Sequence, residues 1–214
     1  DNKHTRMLGK GFLQALALHP KNVDLWIMAA AWEFEFNSSP SASRALIQKG
    51  LRFNGCSKAL WIEYFKMEVL FSRKIAKQNC SVEVSKNENE NLEVPEIVFK
   101  SAMTRIPDDP EFAIDFMNTA ISSKLKSTKL IDHISQHLKD NFPNDPKVVS
   151  AVLAARLRNS SSESPQYISI LKDTVMNFCK ELNLRPSAEL AKYYFDFLLD
   201  CANNVTEENL AKYI

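Results

Sequence analysis

The chain has 214 residues, with 45% hydrophobic and 25% charged side chains, an ordinary globular composition rather than a disordered one. Its formal net charge of +1 gives no bulk attraction to nucleic acid or to a membrane surface. No apolar run approaches the ~20 residues of a membrane span, the longest being Leu25 to Trp32, and four glycines are too few for the turns of an all-β fold.

Apolar residues recur at helical spacing along most of the chain, and punctuation divides them into segments. The pattern predicts helices at 5–18, 23–37, 41–53, 58–78, 95–106, 110–122, 128–141, 146–158, 165–182, 187–202 and 207–214. Ser39-Pro40, Asp109-Pro110, Asp145-Pro146 and Ser164-Pro165 each join an N-cap to a proline at the first helical position. His19-Pro20 and Ile106-Pro107 mark helix ends, and Asn54-Gly55 has the chemistry of a helix stop. Residues 79–94, polar and aperiodic, read as a flexible insertion between repeats. Three regions are therefore expected: first repeats at 1–78, the insertion at 79–94, and degenerate helical repeats over 95–214. The start at Asp1, without a methionine or a leader-like segment, reads as a fragment of a longer protein.

The strongest signal is internal. Leu25-Trp26-Ile27 returns as Leu60-Trp61-Ile62, 35 residues on, and Glu33 returns as Glu68 at the same offset. Upstream, Phe12, Ala15 and Leu16 align with Ile47, Gly50 and Leu51. Weaker copies follow, with Phe112 and Val148 at the tryptophan position. A period of this length belongs to paired-helix repeats. Trp26, Ala30 and Glu33 share one helix face, as do Trp61, Phe65 and Glu68, while Ala29, Ala30 and Ala31 allow a neighbouring helix to come close. One pair cannot bury both its apolar faces. Stacked pairs can, so the expected fold is all-α, a right-handed helical-repeat solenoid of antiparallel helix pairs.

Leu25 to Glu33 and Leu60 to Glu68 resemble the half-a-tetratricopeptide repeat of RNA-processing proteins. With Ala15 to Pro20 and Ser43 to Phe53 added, residues 10–75 are similar to the family of the sixth protein associated with the U-three small nucleolar RNA. That resemblance implies a non-catalytic scaffold subunit of a nucleolar small-subunit processome, supporting pre-rRNA processing. It also implies β-propeller proteins as partners, with pre-rRNA or small nucleolar RNA as a further contact, and no small-molecule substrate or membrane. Related repeats also serve pre-mRNA splicing and 3′-end formation, the alternative process.

The repeat-locked residues Trp26, Trp32, Trp61 and Tyr64 are expected to be structural anchors. Glu33 and Glu68 read as acceptors that hold a neighbouring helix or a tyrosine hydroxyl, with partner contact as the other reading. Residues 44–77 hold eight Lys or Arg against two Glu, and residues 78–97 hold five Glu against one Lys. Arg44, Arg52, Lys66, Arg73, Lys74 and Lys77 are thus candidate contacts for RNA phosphates or an acidic partner, against a simpler reading as a solvated face.

Catalytic and metal chemistry is not specified. His133 and His137 lie four apart on one predicted helix, without the H-E-x-x-H pattern. Asp108-Asp109 and Glu207-Glu208 sit where helices start and read as capping charge. Cys56, Cys80, Cys179 and Cys201 form no knuckle or redox pair. No cofactor or enzymatic activity is expected.

Overall fold

The computed structural model describes residues 2–79, 92–124, 128–160 and 166–204, with the side chains of 2–6, 79 and 203–204 left aside. The described residues form ten helices and no strand. They are α1 (Asn2–Leu18), α2 (Val23–Glu35), α3 (Pro40–Phe53), α4 (Lys58–Asn79), α5 (Glu93–Arg105), α6 (Pro110–Ser122), α7 (Lys129–Asn141), α8 (Pro146–Asn159), α9 (Tyr167–Leu184) and α10 (Ala188–Asn204). An all-helical, repeat-like fold is thus borne out. The predicted insertion falls mostly outside the described residues, and its last residues, Glu93 and Val94, already belong to α5. The predicted helix at 207–214 and the Ser164-Pro165 cap also lie outside them.

Local chemistry sets the helix starts. Asn22 accepts the Leu25 N–H at 3.2 Å, Ser39 accepts that of Ala42 at 3.4 Å, and Asp145 accepts those of Lys147 and Val148 at 2.8 and 3.2 Å. Each satisfies donors that the first helical turn leaves open. Helix α2 stops at Glu35, two residues before its predicted end, because Ser38 turns into the left-handed region (φ 49°) and sends its successor's N–H back to the Glu33 carbonyl. Asn54-Gly55 does end α3, but not by a left-handed glycine: Asn54 caps the helix at φ −130°, and no glycine has positive φ among the described residues.

The chain divides into two compact units, Asp1–Asp109 and Pro110–Ile214. In the first, α1 packs on α2, α2 on α3 and α4, α3 on α4, and α4 on α5. In the second, α6 packs on α7 and α8, α7 on α8, α8 on α9 and α10, and α9 on α10. Loops of only four residues at 19–22, 54–57 and 142–145 return the chain on itself, as neighbouring antiparallel helices require. Within each unit the even-numbered helices also pack directly on one another, so each pair leans on the next.

The cores follow. Trp26, Leu60, Phe65 and Phe99 are buried in the first unit. Phe112, Phe116, Leu130 and Ile134 are buried in the second, with Phe178 stacked between Tyr194 and Phe197 nearer its end. Each such side chain contributes about 1.5–3 kcal/mol on leaving water. Phe112 and Val148, the residues that replace tryptophan in the late copies, occupy buried positions near the starts of α6 and α8. Helix α3 lies close against α2 at Gly50, where an added Cβ would lie 2.8 Å from Trp26 Cγ and 3.0 Å from Leu60 Cδ2. Ala30 belongs to the same contact, its carbonyl accepting a 2.8 Å hydrogen bond from Ser43 Oγ.

Candidate docking surfaces

The two tryptophans of the repeated module make one shared bond. Trp26 Nε1 donates to the Pro20 carbonyl at 2.9 Å, and Trp61 Nε1 donates to the Gly55 carbonyl at 2.9 Å. Each indole therefore ties the start of its helix to the loop six residues earlier. Trp26 is buried, whereas Trp61 is half-buried with Leu60 fully covered beside it. Trp32 is also half-buried and lies against Phe12, ring centroids 6.0 Å apart.

A second element joins each repeat to the one before it. Asn54, the cap of α3, donates through Nδ2 to the same Pro20 carbonyl at 3.0 Å. The guanidinium of Arg105, at the end of α5, lies 3.1 Å from where a Gly55 Cβ would stand, so Gly55 makes room for it. In the second unit Arg185, which caps α9, donates to the Pro143 carbonyl and to Asn144 Oδ1 at 3.0 Å. The end of an odd-numbered helix thus reaches the loop of the preceding pair three times, through Asn54, Arg105 and Arg185. No sequence period reveals this, because the residue changes from Asn to Arg and Arg105 stands one position before its cap, Ile106.

The two repeat-locked glutamates differ. Glu68 is buried and takes a two-pronged ion pair from Arg44, Nε to Oε1 at 2.6 Å and Nη2 to Oε2 at 2.7 Å. Hydrogen bonding to Glu68 raises the Arg44 pKa further, against a partial opposing effect of burial. Beside them Gln48 Nε2 donates to Tyr64 Oη at 2.9 Å, and the phenol's pKa is raised by burial first, with the Glu68 charge adding to it. Glu33 is half-buried, and its Oε2 accepts from the Asn37 amide at 2.9 Å, one turn away on its own chain. The 35-residue offset explains the contrast: it aligns Arg44 with Gly9, which has no side chain to offer.

The candidate basic residues scatter accordingly. Arg44 is turned inward onto Glu68 and is spent on the contact between α3 and α4. Lys66 is exposed and pairs with Glu63 at 3.1 Å on its own helix. Arg73 is half-buried, while Arg52, Lys74 and Lys77 are exposed. Arg52, at the end of α3, and Lys74 and Lys77, at the end of α4, stand at opposite ends of this antiparallel pair, so the exposed cations do not form one face.

Between α1 and α3, on the surface of α2, lies a groove of about 590 Å³ lined by apolar side chains, with Glu33 and Lys49 as its charged members. Sequence reasoning did not find it. It exists because α1 and α3 each pack on α2 and not closely on one another, and only the pairing of three helices reveals that.

The other candidate chemistry stays dispersed. His133 and His137 are both half-buried on α7, and no group of three His, Cys, Asp or Glu suited to a metal occurs among the described residues. Burial lowers the His137 pKa, the neighbouring His133 lowers it further, and Asp140 opposes them. Asp109 pairs with Lys58, while Glu207-Glu208 lie outside the described residues. Cys56, Cys179 and Cys201 are free thiols, and Cys80 lies outside the described residues. No described helix is long and apolar enough to cross a membrane.

Comparison with known proteins bears out the family resemblance. The chain is 26% identical over 205 residues to the U3 small nucleolar RNA-associated protein 6 of Schizosaccharomyces pombe, covering 93% of this chain and 38% of that protein. It is 35% identical over 99 residues to the mouse homolog of the same name, covering 46% of this chain and 17% of that protein. A Dictyostelium discoideum homolog is 41% identical over 63 residues, 29% of this chain and 10% of that protein. The chain therefore spans well under half the length of these relatives. No protein-family model matches it.

Proposed function

We propose, starting from this kinship with U3 small nucleolar RNA-associated protein 6, that the chain is a non-catalytic scaffold segment of a nucleolar small-subunit pre-ribosomal complex. Its work is to hold protein subunits in place during pre-rRNA processing, with β-propeller proteins the partner class that the family implies. Its helix pairs are half-a-tetratricopeptide repeats that stack with a right-handed turn within each unit. The observation that carries the reading is the match across 93% of the chain to a relative named for the U3 RNA. One support comes from the fold: packed helix pairs offer extended side surfaces.

The test is affinity purification of the full-length protein from cells, followed by identification of bound RNA and protein. Recovery of U3 RNA with small-subunit processing factors is expected. Recovery of spliceosomal or 3′-end factors in their place would transfer the chain to the other process.

Direct RNA contact is a second, narrower reading, favoured by the exposure of Lys74 and Lys77 one turn apart at the end of α4. Reversal of both to Glu should weaken retention on single-stranded RNA at low salt. The wild-type affinity should fall steeply as salt rises, because bound phosphates release their counterions.

A further inference from the structure

The two copies of the repeat differ in what reaches their glutamate. In the second copy a guanidinium from α3 takes both oxygens of Glu68. In the first, Gly9 stands in the aligned place on α1, and Glu33 lines the open groove between α1 and α3. Among the described residues no Lys or Arg pairs with Glu33, whose one described hydrogen bond leaves Oε1 unused. The space beside it is real: a Cβ added at Gly9 would approach only Trp32, at 3.6 and 3.8 Å, which is ordinary contact.

The groove has its own polarity. Helix order sets it: Trp32 and Glu33 end α2 where Ala42 begins α3, while Lys49 and Phe53 close α3 beside Pro20, which Asn54 reaches. Ala42 and Lys49 are seven residues apart on α3, about 10 Å at the helical rise. An occupant therefore meets a carboxylate, then an apolar floor, then an ammonium. The volume of about 590 Å³ suits a few side chains rather than a whole helix. The carboxylate end repels phosphate and the apolar floor offers it no donor, so the lining fits a peptide better than nucleic acid. A carboxylate in such surroundings selects arginine over lysine, since the planar fork fills both oxygens and is less strongly hydrated.

We infer that this groove docks a segment of a partner protein that carries an arginine among aliphatic residues, its guanidinium taking the place on Glu33 that Arg44 takes on Glu68. An acidic group about 10 Å further along the segment meets Lys49. The inference deepens the scaffold reading by naming one docking site and its ligand chemistry. It rests on that reading only for the ligand being a protein.

The test is selection of random 14-residue peptides, displayed on phage, against the 214-residue chain, followed by fluorescence polarisation of the enriched peptides. Enriched sequences should share an arginine flanked by Leu, Ile or Val, and binding should weaken at least tenfold on Glu33→Gln. Gly9→Arg should abolish binding by supplying a guanidinium from α1, while leaving the helical circular dichroism and thermal midpoint unchanged or raised. Enriched peptides without arginine, binding that Gly9→Arg leaves intact, or no enrichment would each overturn the inference. A concentration-dependent dimer that Gly9→Arg dissolves would assign the groove to a second copy of the chain and overturn it too. Co-purification of U3 RNA tests the scaffold reading separately, so either can fail alone.

Discussion

Trp26 and Trp61 stand 35 residues apart and make the same 2.9 Å bond to a loop carbonyl, yet the glutamates seven residues after them have parted ways. Glu68 is sealed under Arg44, and Glu33 lies half-buried in a groove with an asparagine amide for company. The tryptophan bond is internal to one helix and its own loop, so both of these copies keep it whatever packs beside them. The glutamate's partner belongs to the neighbouring helix, so one exchange at position 9 or 44 converts a structural contact into an open surface. A repeat can therefore keep its fold-forming residues and still differ from copy to copy in what it offers a ligand.

The largest expected effect separates the two glutamates. Glu68→Ala leaves the Arg44 charge without its counter-ion in a half-buried place and should cost about 3 kcal/mol, the lower end for breaking a buried pair, since Arg44 keeps some access to water. Glu33→Ala should cost less than about 0.5 kcal/mol, as a surface change does. Urea unfolding of both variants checks the contrast, and equal costs would break it. Replacing Arg44 and Glu68 together by Leu should recover most of the loss, since the ion pair also carries a desolvation cost.

A somewhat smaller effect is expected where the second copy has glycine and the first alanine. Gly50→Ala drives a methyl to 2.8 Å from Trp26 Cγ and should destabilise by about 1–3 kcal/mol through overpacking. At the aligned position Ala15→Gly should cost about 1 kcal/mol, from helix propensity alone. A stability gain in Gly50→Ala would show that α2 and α3 are not held at that separation.

The smallest effect concerns pH and lies outside both copies. Burial and the neighbouring His133 hold the His137 pKa below its ordinary value, so the folded chain favours the neutral ring. Stability is then full above the unfolded value near 6.5. It declines as pH falls through that value toward the lowered folded one, because the unfolded chain takes up the proton first. His137→Gln should flatten that part of the stability profile, below about pH 6.5. An unchanged slope in chemical unfolding at those pH values would assign the dependence to other groups.

The helices were legible because their signals are local. Proline after Asp or Ser, the Asn54 stop and the 3.6-residue spacing act within one or two turns, and the observed boundaries fall within two residues of the predicted ones for most elements. The division into compact units left no mark in the composition. The first unit runs to Asp109 and the second starts at Pro110, and α5, which buries Val98, Phe99 and Ala102, belongs to the first. Arg44 shows the same limit at a single residue. Its charge and spacing place it on a basic stripe, but its rotation about α3 turns it to Glu68, 24 residues away.

By itself, then, the order of residues determined that this chain is helical, where its helices begin, and that two adjacent modules are copies of one another. All of that rests on steric and hydrogen-bonding preferences acting over a few residues. Tertiary packing alone decided which copied glutamate is sealed and which is open, and which cations remain at the surface. Those outcomes depend on helices separated in sequence meeting at a particular rotation, and a single glycine facing an arginine's place is enough to change them.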